Sequence, residues 1–170
     1  GRGVSMRYDP NHVAGLPASN GASGPLVHEP PSVERVRNTD VGDIDRSAML
    51  AIEDIEDFWR QHYHDSLPGS FSPVSALVSV DPDASDPEIC GSEPSELAFN
   101  AAYCRDDDLI AWDRKELLPV AKTYFGELAI NGLLAHEYGH ALQYKGHFAD
   151  DETPTLVSEQ QADCFAGTYL

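Results

Sequence analysis

Residues 127–146 read Glu-Leu-Ala-Ile-Asn-Gly-Leu-Leu-Ala-His-Glu-Tyr-Gly-His-Ala-Leu-Gln-Tyr-Lys-Gly, and the rest of the chain is organised around them. Ile130, Leu133, Leu134, Ala141 and Leu142 recur at helical spacing, and Gly146 suits a C-terminal stop. The stretch predicts a mostly buried helix. His136 and His140, four residues apart on it, lie on one face, so their imidazoles can converge on a single point. A buried helix carrying two histidines and Glu137 needs partners for them, because uncompensated buried polar groups are costly. A metal ion is the simplest partner, with Glu137 placed to take a proton from water that the metal activates.

A third ligand must come from elsewhere. One solution continues the helix as His-Glu-x-x-His-x-x-Gly-x-x-His, but those positions hold Gln143 and Gly146 out of register, and His147 lies one residue too far. The other takes a glutamate from a second helix. Thr153-Pro154 reads as an N-cap and first-turn pair, and no further Gly or Pro follows until Gly167. Glu159, Ala162, Asp163 and Ala166 share one face of that helix, which makes Glu159 the expected third ligand. Asp163, one turn later, is expected to accept the other ring N–H of a ligand histidine and so fix its tautomer.

Ala135-His136-Glu137-Tyr138-Gly139-His140, with Glu159-Gln-Gln-Ala-Asp-Cys-Phe-Ala-Gly167, resembles the bacterial neutral zinc metallopeptidase family, whose pattern is A-H-E-x-G-H followed by E-x-Q-A-D-C-F-A-G. Cys90-Gly-Ser92, Ala102-Tyr-Cys104 and Leu109–Asp113 look like that family's upstream elements, so the resemblance covers roughly residues 46–170. It implies a gluzincin, with His136, His140 and Glu159 binding Zn2+ and Glu137 as catalytic base. The chain ends a few residues after Ala166-Gly167, where family members continue with further helices, so the domain is expected to be C-terminally incomplete.

Composition bounds the partners. Eleven basic and 29 acidic side chains give 170 residues a formal charge of −18, which repels nucleic acid and anionic lipid. The expected partner is a peptide or protein substrate, with a weak preference for cationic peptides. The Asp106–Asp108 and Asp150–Glu152 clusters read as solubilising loop charge, without the spacing of a calcium loop. No stretch approaches the length of a membrane span, and no signal peptide is present. Of three cysteines, Cys90 and Cys104 lack a C-x-x-C hook and read as a disulfide across a hairpin-like loop. A disulfide implies an extracytoplasmic location, secreted or anchored on the outer face. Cys164 is left as a small buried packing residue or the partner of a cysteine outside this chain.

Residues 1–42, rich in Gly, Pro, Ser and Asn, read as a flexible or extended arm, joining residues 43–170 to a membrane tether or another module outside the chain. Asp43–Tyr63 predicts a helix with one apolar face, its His62 and His64 on the surface. Val74–Val80, Ala98–Cys104 and Leu109–Trp112 predict three strands, and Asp113–Glu116 a capping box opening a short helix before Pro119. The expected class is α+β and zincin-like: a small sheet packed on an N-terminal helix, the HExxH helix and a glutamate-bearing helix. Either Asn100–Cys104 or Leu109–Trp112 is expected to line the cleft or to be plain core.

These readings predict hydrolysis of peptide bonds by Glu137-assisted attack of zinc-activated water. Gly139 is expected to remove bulk beside the metal, and Tyr103, Tyr124 and His147 are candidate donors to the oxyanion. The alternative is a zinc-binding but non-proteolytic cell-envelope module or scaffold. A third reading has the N-terminal arm occupying the cleft as an inhibitor.

Overall fold

A computed structural model describes residues 32–170, together with the backbone of two short strands, β1 (His12–Val13) and β2 (Leu16–Pro17), paired antiparallel. The remainder of residues 1–31, and with it most of the expected arm, lies outside the described residues. From residue 31 onward the chain forms one compact unit of mixed α+β structure.

The first helix, α1 (Asp43–Ser66), buries Ala48, Met49, Ile52, Ile55, Trp59 and Tyr63, the single apolar face its spacing predicts. It stops at Leu67, whose successor Pro68 disfavours a helical conformation before it. Four strands follow the order β3-β4-β6-β5: β3 (Val36–Arg37), β4 (Ala76–Val80), β5 (Ala101–Cys104) and β6 (Leu109–Asp113). β4 lies parallel to β3 and β6, and β5 closes the sheet antiparallel to β6. Every residue of β4 and β6 is buried. Alternation sends Leu77, Ile110 and Trp112 into the core beneath the helices. Ala76, Val78, Val80, Leu109 and Ala111 pack on the other face with Ile89 and Leu97 from the β4–β5 connection.

Three helices complete the unit: α2 (Leu117–Phe125), α3 (Glu127–Lys145) and α4 (Thr155–Tyr169). α3 is the hub, packed against α1, α2, α4 and β5. Gly126, which ends α2 and opens α3, has φ of 83°, a conformation that favours glycine.

Several expectations are corrected. Val33–Arg37 belongs to the folded unit rather than the arm: Val36 is buried in the core, and Arg35 pairs with the buried Glu56 of α1. A two-residue edge strand is too short to announce itself by alternation. Pro119 sits inside α2, in the first turn, where its missing N–H has no helical acceptor to lose. The Asp113 carboxylate accepts from the amides of Lys115, Glu116 and Leu117, but Glu116 returns no bond, so the capping box is half formed. The residue capping α4 is Pro154, with the Thr153 hydroxyl bonded to Asp150 instead. Cys164 is exposed, which excludes the buried packing role. Cys90 and Cys104 form the expected disulfide, their Cα atoms 5.8 Å apart.

Candidate metal centre

α3 carries His136 and His140 on the face turned toward α4, their ring centroids 4.9 Å apart and nearly perpendicular. Glu159, in the second turn of α4, sets one carboxylate oxygen against each ring. Oε2 lies 2.9 Å from His136 Nε2, and Oε1 lies 3.1 Å from His140 Nε2. The candidate ligand atoms of the three residues all fall within 4.8 Å of one another.

Each histidine is oriented from behind. Asp163 Oδ1 lies 2.6 Å from His136 Nδ1, and Gln143 Oε1 lies 2.7 Å from His140 Nδ1. The amide of Gln143 is held in that sense because its Nε2 donates to the Ser158 carbonyl at 2.6 Å and to Gln161 Oε1 at 3.0 Å. Both Nδ1 atoms therefore face acceptors and carry the ring proton, which leaves each Nε2 of a neutral ring as a lone pair. Both lone pairs point at a carboxylate that only accepts. With both rings neutral, three acceptors meet at this point, an arrangement that a cation relieves. Two imidazolium rings would also relieve it, at the expense of adjacent like charges. Two neutral imidazoles and one carboxylate make a His2Glu donor set that fits the ligand chemistry of zinc.

Gly139 lies between the histidines for a different reason from the one expected. A Cβ there would stand 2.6 Å from the Ala162 carbonyl oxygen of α4. Glycine is required because α4 crosses α3 at this point, and the crossing brings Glu159 and Asp163 within reach of the rings. Ser158, Ala162 and Ala166, the buried residues of α4, are correspondingly small.

Glu137 faces the other way, toward the sheet edge. Its Oε2 accepts the Tyr103 N–H of β5 at 2.9 Å. Burial holds the Glu137 carboxyl above its ordinary value, against the opposing influence of His136, His140 and the Tyr103 amide. The histidines, Glu137 and Glu159 line an open cleft of about 560 Å³, with residues 100–103 on one wall and the α3–α4 connection on another. Of the two strands considered, β5 is therefore the cleft strand, while β6 lies inside the sheet.

The other candidates separate cleanly. Tyr103 lines the cleft, but its hydroxyl donates to Asp108, which together with burial pushes the phenol well above its ordinary range. Tyr124 and His147 are exposed and not among the cleft residues. His62 and His64 are exposed, as expected. Asp108 is not loop charge: although burial alone would raise its carboxyl, the Lys145 ammonium and the hydroxyls of Ser75 and Tyr103 hold it below the usual range. Gln143 and Tyr144, three and four residues after His140, join the site, and helical spacing alone puts them on or beside its face. Gln143 holds His140, and Tyr144 lines the cleft.

No protein-family model matches this chain, and no curated protein or solved structure matches it either.

Proposed function

We propose that this protein is a zinc-dependent peptidase of zincin-like architecture, with His136, His140 and Glu159 as metal ligands and Glu137 as catalytic base. The observation that carries the proposal is the convergence of the His136 and His140 Nε2 atoms on the Glu159 carboxylate, with each Nδ1 already facing an acceptor of its own. Zinc bound there supplies a Lewis acid that lowers the pKa of water toward ~7 and polarises a carbonyl.

The chain's own residues supply the rest. Asp163 and Gln143 hold the imidazoles in the tautomer that turns Nε2 toward Glu159. Glu137 takes the proton of the attacking water and returns it to the leaving amine, from a position on the cleft wall beside the two histidines. β5 offers an extended substrate its outer edge. The Tyr103 N–H points to Glu137, so the strand's alternation puts the Ala101 N–H and C=O and the Tyr103 C=O on that same side. The Cys90–Cys104 disulfide fits an extracytoplasmic site of action.

The test is zinc content and peptide-library cleavage of the wild type beside Glu137→Gln. The expected result is stoichiometric zinc in both proteins, with cleavage in the variant lower by ~10²–10⁴-fold. Stoichiometric zinc with no cleavage by the wild type on any peptide would leave the non-proteolytic binding module as the better reading.

A further inference from the structure

Tyr138 stands between Glu137 and Gly139, yet its side chain enters neither the cleft nor the α4 contact. It is fully buried, donates its hydroxyl hydrogen to Glu56 Oε2 of α1, and accepts the Val74 N–H at 3.0 Å. Glu56, also buried, is gripped by both terminal nitrogens of Arg35, and Arg35 Nη2 in addition reaches the Val74 carbonyl at 3.2 Å. Arg35, Glu56, Tyr138 and Val74 thus form a closed circuit joining four parts of the chain. Arg35 comes from the short stretch that precedes α1.

The circuit grips α3 on the side opposite α4. His136 and His140 have their own supports on the α4 side: Asp163, Gln143 and the Gly139–Ala162 crossing. Among the described residues Glu137 has the Tyr103 amide as its one hydrogen-bond partner, so its placement depends on how α3 is rotated and seated against the sheet. Tyr138, its neighbour, is the residue pinned to α1 and to Val74.

We propose that Arg35 is a positioning residue, acting through Glu56 and Tyr138 to hold Glu137 against β5, while the metal ligands are held independently by α4. The proposal rests on the peptidase reading for its kinetic consequence but not for its structural one. Without Arg35, the Glu56 carboxylate is left buried with a single phenol donor. The stretch before α1 then becomes a handle on the catalytic base.

The test uses the full chain with Arg35→Met, Tyr138→Phe and the double variant Arg35→Met/Glu56→Leu, which removes the buried charge together with its partner. Three quantities are read: kcat and KM on a cleaved peptide, zinc stoichiometry, and hydrogen exchange of the Tyr103 amide, whose protection reports directly on Glu137. Each variant is expected to lower kcat and to speed Tyr103 exchange by about tenfold, the scale of one lost hydrogen bond, with KM and zinc content unchanged. The double variant is expected to regain thermal stability without regaining kcat, because removing the Glu56 carboxylate takes away the acceptor of Tyr138. Recovery of kcat together with stability would overturn the proposal and make Arg35 merely structural; so would zinc loss in step with kcat. If Arg35→Met does not fold, Tyr138→Phe and the double variant decide. If the wild type cleaves no peptide, the peptidase reading fails on its own, and Tyr103 exchange still decides the positioning.

Discussion

The molecule contains two groups of carboxylates that look alike in composition and differ in completeness. On α1, Asp45 and Glu56 are buried and saturated: Asp45 accepts from Thr39, Ser79 and Trp112, and Glu56 accepts from Arg35 and Tyr138. Across the fold, Glu159 and Asp163 are more exposed, and Glu159 faces the Nε2 atoms of two histidines rather than an arginine or a hydroxyl. The first group is closed within the chain and fixes where the elements sit. The second is open and asks for a cation. The two groups differ less in burial than in the partners the chain supplies to each carboxylate.

The comparison can be broken at either end. Arg35→Met strands the Glu56 charge and should lower unfolding stability by about 3–5 kcal/mol, read by urea denaturation and unaffected by chelator. Asp163→Asn should do the reverse, leaving metal-free stability nearly unchanged while weakening zinc affinity by ~10–100-fold in a competition titration. Equal effects on both quantities in both variants would erase the distinction drawn here. Gly139→Ala sharpens it, since its methyl group meets the α4 backbone at Ala162. We expect a loss of about 1–3 kcal/mol in the metal-free protein, with weaker zinc binding as α4 is pushed away. The smallest effect belongs to Asp108, a third and partly exposed acid. Its carboxyl is depressed in the folded protein, so its contribution is present above the unfolded value of ~4 and is lost as pH falls through the lower folded value. Asp108→Asn should therefore cost at most about 1 kcal/mol near neutrality and flatten the acid limb of the stability curve.

Much of this was legible in the chain itself, and the residues show why. α1 announced its face because Met49, Ile52, Ile55, Trp59 and Tyr63 recur at the helical period. β4 and β6 announced themselves as short apolar runs between turn signals. The His136–His140 spacing and the Glu159–Asp163 face follow from helix geometry alone, and the structure brings all four together. β3 was not legible, since two residues carry no period and their pairing with β4 is long-range. The need for glycine at 139 was not legible, because the close contact that requires it lies on another helix, at Ala162. In the sequence Gln143 only breaks a third-histidine pattern, whereas its contact with His140 depends on Ser158 and Gln161 across the helix pair.

The sequence by itself determined what is local: where α1, α3 and α4 run, which of their faces are apolar, and which residues of one helix can share a point. Those follow from a fixed helical period and from the chemistry of each side chain. Only the tertiary structure decided what depends on distance between elements. It set α4 against α3 at a glycine, turned Glu137 to the sheet edge rather than to α4, and drew Arg35 out of the apparent arm onto Glu56. Such choices rest on packing and on pairing buried charge, and neither is written in any one stretch of the chain.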